Sequence, residues 1–447
     1  ESQRVKVGLV TAYAKQGGLK EFANHSLNGY GPLIRDGLVE VEVFGHEDGD
    51  QPAVDTREVK VTTETGEVVS VPVRINRVTR FNDSTSIADL TEAVGERGVD
   101  VVNFQWLLTS AADAPAGLLA AFAPGVVERI AGVPATVTMH HTVHTMDLVA
   151  AQKVSGFVSK VMVVAGSEVI ERGLQLVSRV YVLLNRYVDA YRDLYGVRAQ
   201  RMHHGFFKFK PVKEERFTAD ATVFIGSVGK WGDYKVVEDQ VDALKALFAL
   251  RPDLEGRAIG LIGGGDNPNA IGYTEATEAK YRADPEVLVL LEQDVKDAVA
   301  AGELAAGDTD SYRSWIERKA REAGVNIVYR PGWIADEEFG PINEAYDISL
   351  QLYRATTGTS GPAHEAAGFG GTPIVASQQE PIYDDMGNLR EEGLTLNLVQ
   401  TRPMEGQAGM VPDAQEGAEV LSELIDDPEE RLRQARANNA AGAALVP

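Results

Sequence analysis

Short runs of β-branched and aliphatic residues alternate along this chain with longer stretches whose apolar positions recur every three or four residues. In the first half the short runs are VKVGLVTAY, VEVEVF, DVVNFQW, ATVTMH, VMVVAG and RVYVLL, and their length and branching predict strands. Between them SIADLTEAVGERG and SEVIERGLQLV have amphipathic helical spacing, the second opened by Ser167 with acids in its first turn. Strand and helix in alternation are the sequence form of parallel βαβ units and of a doubly wound sheet. One stretch departs from the pattern. VKVTTETGEVVSVPVRI alternates on both sides of Thr65-Gly66, which predicts a β-hairpin inserted locally.

A second series follows, with strands expected at ATVFIGSVGKWGDYK, RAIGLIGGG, VNIVYRPG, YDISLQLY and TPIVAS, and a helix at VEDQVDALKALFAL. Two such series in 447 residues predict an α/β protein of two Rossmann-like domains, each with its own core. FKFKPVKEERF, with Pro211 and a charge run, is the linker candidate, which places an N-terminal domain at 1–212 and a C-terminal domain at 213–447. Residues 267–324 exceed a simple crossover and read as an inserted helical element, with helices expected over EVLVLLEQDVKDAVAAG and SYRSWIERKAREAG. DDPEERLRQARANNAAGAALVP predicts a C-terminal helix.

Composition narrows the function classes. Cysteine is absent, which removes a disulfide framework, a thiol nucleophile and a thiolate metal site. No apolar run reaches about 18 residues and no basic-then-apolar leader appears, so a cytoplasmic location is expected, with peripheral membrane attachment left open. The formal charge of −23 opposes phosphate backbones and anionic lipids at long range, although a local cleft can override it; FKFKPVK is the one compact basic patch. There is no Walker A pattern and no spaced glycine fingerprint with a downstream acid, so nucleotide hydrolysis and hydride transfer have little support.

In open α/β sheets ligands sit outside the carboxyl ends of strands, so the segments after strands hold the candidate chemistry. The richest is Gln351 to Ser377, QLYRATTGTSGPAHEAAGFGGTPIVAS. Here Gly358, Thr359, Ser360 and Gly361 present backbone N–H groups at a helix start, where a diphosphate can approach the glycine backbone closely. Glu365, one turn on, is placed to accept from paired sugar hydroxyls. The run Gly226-Ser227-Val228-Gly229-Lys230, continuing to Lys235, reads as a glycine turn with cations, which suits a leaving diphosphate because fixed positive charge stabilises the charge it gains. His140, His141 and His144 follow ATVTM and are candidate donors, proton shuttles or ligands, or a structural cluster; no metal-ligand spacing supports the metal reading. Trp106 either stacks a sugar or fills the core. Gly17-Gly18 after the first strand is either a ligand loop or a plain turn. Asp48-Gly49-Asp50 and Asp308-Thr309-Asp310 lie in polar stretches and read as solvated loops.

Taken together, Gly358, Pro362, Glu365 and the Gly371 to Ser377 strand resemble the signature of the retaining glycosyltransferases that include glycogen synthases and bacterial mannosyltransferases. The resemblance implies the GT-B fold, two Rossmann-like doubly wound domains facing across a cleft, with a helical insertion in the second and a C-terminal helix that crosses back to the first. It implies transfer of a hexose-type sugar from a UDP- or GDP-linked donor to a hydroxyl acceptor, with retention, and with no metal or other cofactor because the leaving diphosphate assists acceptor deprotonation. By the same resemblance Gly17, Gly18, Lys235, Gly263, Arg330 and Pro331 belong to the donor site, with Ser227 standing where the family has an Arg, so that the first cation is either missing or supplied by Lys230. His140 lies near the donor sugar, and Trp106, His141 and His144 lie on the acceptor side. Thr357 stands where the family has the Glu that contacts the donor sugar. Arg354, three residues before it, is an unusual charge that suits an anionic donor or acceptor. An epimerase of related architecture, a nucleotide-sugar-binding protein without transfer, and transfer onto modified DNA bases are the alternatives.

Overall fold

A computed structural model of the chain describes residues 4–11, 18–47, 52–62, 68–80, 83–106, 121–139, 168–169, 172–183, 185–202, 209–232, 234–267, 270–354, 361–378, 394–403 and 410–445. The chain divides into two compact units, the described residues up to 202 forming the first and those from 209 onward the second.

The first unit is one eight-stranded sheet in the order β3-β4-β2-β1-β5-β6-β7-β8. Its strands are β1 (Val5–Val10), β2 (Val39–His46), β3 (Val54–Thr62), β4 (Val68–Thr79), β5 (Val101–Trp106), β6 (Ala135–Met139), β7 (Arg179–Val182) and β8 (Ala199–Arg201). All pairs are parallel except β3 with β4. The helices are α1 (Gly18–Arg35), α2 (Ser86–Arg97), α3 (Ala123–Ala131) and α4 (Asn185–Tyr195). Adjacent residues of β2 point to opposite faces, as strand geometry requires. Val43 joins a core with Leu9, Leu27 and Ile75, and Phe44 joins another with Leu90, Val94, Phe104 and Val127. The two expected hairpin strands pair antiparallel as β3 and β4, with Thr65-Gly66 between them outside the described residues, but they are more than a local insertion. The second strand pairs in parallel with β2, so both arms extend the main sheet, because β4 buries Val71, Val73 and Ile75. The expected strand VMVVAG lies outside the described residues.

The second unit is a seven-stranded parallel sheet in the order β11-β12-β10-β9-β13-β14-β15. The strands are β9 (Val223–Trp231), β10 (Ala258–Asp266), β11 (Val287–Val289), β12 (Ile327–Pro331), β13 (Ile348–Gln351), β14 (Ile374–Ser377) and β15 (Leu396–Val399), with a small hairpin of β16 (Thr401–Pro403) and β17 (Met410–Pro412) beside them. The helices are α5 (Val237–Leu250), α6 (Tyr273–Arg282), α7 (Glu292–Ala300), α8 (Thr309–Ala323), α9 (Asp336–Ala345), α10 (Gly361–Gly368), α11 (Ala414–Asp426) and α12 (Pro428–Leu445). From β9 the chain winds outward through β10 and β12, then returns to the other side of β9 as β13, β14 and β15, which makes the β9/β13 junction a topological switch point. The 267–324 segment holds three helices, and one expected helix proves to be two elements. Val287-Leu288-Val289, short and β-branched, adds β11 to the sheet edge, and the helix begins only at Glu292, where Asp294 accepts the Leu291 N–H at 2.6 Å. The expected C-terminal helix is α12, which packs on α10. Among the described residues no helix is long and apolar enough to cross a membrane.

One buried charge stands out in the first unit. Glu42 of β2 accepts from Arg97 Nε at 2.7 Å, from Asn76 Nδ2 at 3.1 Å, and lies 2.9 Å from Lys6 Nζ. Burial pushes its carboxyl up, but the hydrogen bonds from Arg97, Lys6 and Asn76 outweigh that and hold it at about 2, against an ordinary 4.5. A carboxyl depressed on folding adds stability that is present above its unfolded value and is lost as pH falls through the folded one. Glu42→Gln is therefore expected to cost on the order of 3 kcal/mol near neutral pH. Urea unfolding as a function of pH checks this: wild type should lose stability between about pH 4.5 and 2 more steeply than the variant.

Candidate functional site at the carboxyl edge of the second sheet

The Gly226 to Lys230 run, expected as a glycine turn, lies inside a strand. Gly226 to Lys230 is part of β9 and Gly263 to Gly265 part of β10, paired residue by residue, with Gly229 opposite Gly264 and Lys230 opposite Gly265. The reason is close backbone approach. A Cβ on Gly264, whose φ is +128°, would stand 1.9 Å from the Gly229 carbonyl oxygen, so only glycine lets the two strands run together here. Gly263 serves packing as well, since a Cβ there would meet Ile342 Cδ1 at 2.8 Å. Ser227 is 2% exposed in mid-strand, and its hydroxyl has no hydrogen-bond partner among the described residues. Lys230 is half-buried near the strand end.

Beyond β9 the chain turns, with the Gly232 N–H donating to the Lys235 carbonyl at 2.9 Å. The Lys235 ammonium stands 4.3 Å from the centre of the Tyr353 ring and 5.9 Å from that of Tyr234, within cation–π range. Tyr353 lies just past β13, fully buried, with its N–H donating to Ser377 Oγ at 2.7 Å and its hydroxyl to Gln351. Arg354 donates through Nε and Nη2 to the two oxygens of Asp239 on α5, at 2.8 Å each. Those hydrogen bonds to Asp239 push the guanidinium further toward its charged form. The charge expected to meet an anionic ligand is thus committed to a carboxylate. Asp239 and Tyr353 were not singled out by sequence reasoning; an acid in the first turn of a helix and an aromatic at a strand exit are too common to signal a pairing.

Gly361 opens α10, and Glu365 sits one turn in, 2% exposed, beside the equally buried His364. Behind it the chain passes close to α12, since a Cβ on Gly371, whose φ is +70°, would fall 2.0 Å from the Ala435 carbonyl oxygen. On the other flank, Arg330 and Pro331 end β12. Arg330 is 1% exposed and donates to Glu338 at 3.2 and 2.9 Å, to the Pro331 carbonyl at 2.6 Å and to the Trp333 carbonyl at 3.2 Å. Its side chain therefore shapes the loop from inside. The Gly332 N–H donates to the Gly264 carbonyl at 3.0 Å, which staples this loop to β10 and leaves Trp333 half-exposed.

Acidic residues cap two helices here, and Asp308-Thr309-Asp310, expected as a solvated loop, instead opens a helix. Asp266 accepts from the Gly272 and Thr274 N–H groups at 2.6 Å each, at the start of α6. Asp308 accepts from the Ser311 N–H at 2.6 Å as the N-cap of α8, and Asp310 pairs with Lys213 and Arg216. Lys210 of the basic patch pairs with Glu344 at 2.9 Å. In the first unit Gly18 opens α1 and Trp106 ends β5. The side chain of Trp106 and residues Gly17, His140, His141, His144, Thr357, Gly358, Thr359, Ser360, Asp48 and Asp50 lie outside the described residues.

Compared by sequence, the chain matches no family model and no curated protein. Its fold has clear counterparts among solved structures. HepE from Anabaena in complex with UDP-glucose is similar at a TM-score of 0.53 and 15% identity, covering 99% of this chain and 96% of that one. A UDP-forming α,α-trehalose-phosphate synthase from Burkholderia xenovorans, in complex with glucose-6-phosphate, is similar at 0.56 and 12% identity, again covering 99% and 96%. The fold is GT-B. Both sheets of this GT-B chain share one winding, since in the first unit too the chain runs outward from β1 through β2 to β4 and returns on the other side as β5.

The buried Arg330–Glu338 pair gives the carboxyl edge of the second GT-B sheet its shape, and removing one partner leaves a buried charge uncompensated. Glu338→Ala is expected to cost about 3–5 kcal/mol of stability, measured by denaturant unfolding, whereas replacing an exposed pair such as Arg318–Glu303 should cost less than about 1 kcal/mol.

Proposed function

We propose that this protein is a glycosyltransferase that takes a hexose-type sugar from a nucleotide-diphosphate donor, UDP-linked in the first instance, and moves it to a hydroxyl-bearing acceptor. The observation that carries this reading is the placement of Lys235 and Glu365 on the two strand exits that flank the switch point of the second sheet. An ammonium at one exit suits the negative charge that develops on a leaving diphosphate. A helix N-terminus at the other offers N–H groups to phosphate, and a buried carboxylate one turn in suits the ribose hydroxyls. The similar structures add support, since HepE is complexed with UDP-glucose and the trehalose-phosphate synthase is UDP-forming.

In the proposed reaction the bond from the sugar's anomeric carbon to the diphosphate oxygen breaks as the bond to the acceptor oxygen forms on the same face. The acceptor's proton passes to the departing diphosphate, so configuration is retained and no protein nucleophile or metal enters the scheme. Lys235, with Lys230, holds the diphosphate, and the amides of Gly358 to Gly361, with Gly17 and Gly18, do the same. His140 and Thr357 face the sugar, and the first unit holds the acceptor through Trp106, His141 and His144. These last assignments rest on sequence alone. Ser227, uncharged and buried, favours a second reading as a nucleotide-sugar-binding protein without transfer.

Calorimetric titration with UDP, GDP and their glucose- and mannose-linked forms, followed by sugar-release assays with candidate acceptors, tests both readings. Glu365→Ala is expected to weaken donor binding by about 1.5–3 kcal/mol, on the order of 10- to 100-fold. Lys235→Ala should lower turnover more than affinity, because its contact strengthens as the diphosphate leaves. Tight donor binding with no acceptor-dependent nucleotide release would support the binding protein, and no binding of any nucleotide would sink both.

A further inference from the structure

The loops leaving β9 and β13 are joined by three contacts that the proposed reaction does not itself use. The Arg354 N–H donates to the Tyr234 carbonyl at 2.8 Å, the Arg354 guanidinium grips both oxygens of Asp239, and the Lys235 ammonium faces the Tyr353 ring at 4.3 Å. Asp239 is 6% exposed and lies in the first turn of α5, so its position is set by a helix already packed on the sheet through Val237, Val241 and Leu244. A planar guanidinium bound by two parallel hydrogen bonds fixes distance and angle together, which a single ammonium contact cannot do.

We propose that the Arg354–Asp239 ion pair is a positioning device that clasps the exit of β13 to the start of α5, and so holds Tyr234 and Lys235 where the leaving diphosphate is bound. This rests on the donor-site reading above. Arg354 touches no substrate in this scheme; it acts on Lys235 through the Tyr234 carbonyl and through the adjacent Tyr353 ring. A cation that sequence alone would assign to an anion thus serves as a brace for a different cation. Arg354→Lys keeps the charge and loses the fork, so the proposal separates geometry from net charge.

The test compares wild type with Arg354→Ala, Arg354→Lys, Asp239→Asn, Lys235→Ala and the Arg354→Ala/Lys235→Ala double variant. Amide hydrogen exchange is read at Gly232 and Arg354, whose N–H groups bond the Lys235 and Tyr234 carbonyls, together with UDP-glucose binding and the kcat and KM of sugar release. In Arg354→Ala and Asp239→Asn those two amides should lose about tenfold protection while the amides of β10 keep theirs. Turnover should fall about 10- to 100-fold with KM changed less than about threefold, and Arg354→Lys should remain slow. The double variant should be no slower than Lys235→Ala alone, because the clasp acts only through that lysine. Unchanged exchange at Gly232 and Arg354, or a full multiplicative loss in the double variant, overturns the proposal. Failure of wild type to bind UDP-glucose or any other nucleotide sugar overturns the donor-site reading instead, and the exchange rates at Gly232 and Arg354 then decide by themselves whether the ion pair clasps the two loops.

Discussion

The contact of bare backbone against backbone between β9 and β10 is the constraint on which the second unit depends. Gly229 and Gly264 lie opposite one another, and a Cβ at Gly264 would overlap the carbonyl oxygen across from it. Gly226 does the same against Leu261, where a Cβ would stand 1.9 Å from the carbonyl oxygen. With the two strands this close, Trp231 can reach across to donate its indole N–H to the Gly263 carbonyl at 2.8 Å, and Gly332 can donate to Gly264. The loops after β9, β10 and β12 are then held against one another at one edge of the sheet. A side chain at Gly264 would force those strands apart, and the loops that carry Lys235 and Trp333 would move with them.

Charge in this unit is organised inward as well as outward. The chain is acidic overall, yet Arg330 and Arg354 at the carboxyl edge are matched to the buried carboxylates of Glu338 and Asp239, and at the opposite, amino edge Arg313 pairs with Asp347 at 2.9 Å. Each such pair contributes little net stability relative to apolar packing but is costly to break, which makes it a means of specifying geometry. Arg330 fixes the loop that displays Trp333, Arg354 fixes the turn that displays Lys235, and Arg313 bridges the Ala345 and Thr222 carbonyls where β9 and β13 begin. At this edge the forked, planar guanidinium of Arg330 and Arg354 bonds to a carboxylate and braces the backbone beside it, while the Lys235 ammonium rests against the Tyr353 ring.

What the sequence determined by itself is the architecture. The alternation of β-branched runs with amphipathic stretches is a local property, and it located most of the strands of both sheets, the hairpin around Thr65-Gly66 and the C-terminal helix. The placement of Glu365 on a short helix after β13 was equally legible, because a glycine-rich approach, a proline near the helix start and a small-residue helix all signal within a few residues. Where the reading slipped, the signal was ambiguous at short range: Val287 to Val289 fits a helix or a strand, and only the free edge of β12 beside it decided for a strand. The glycine run of β9 looks like a turn because sequence records glycine's freedom and not the neighbour that demands it.

The side-chain partnerships at the candidate site were decided by tertiary structure alone. Arg354 and Asp239 are 115 residues apart, and Lys235 and Tyr353 are brought together only because β13 returns to lie against β9. Whether an arginine at a strand exit faces a ligand or a carboxylate depends on which helix packs beside it. No local pattern carries that, since it is set by the order of strands in the sheet and by the burial that makes a lone charge too costly to leave unmatched.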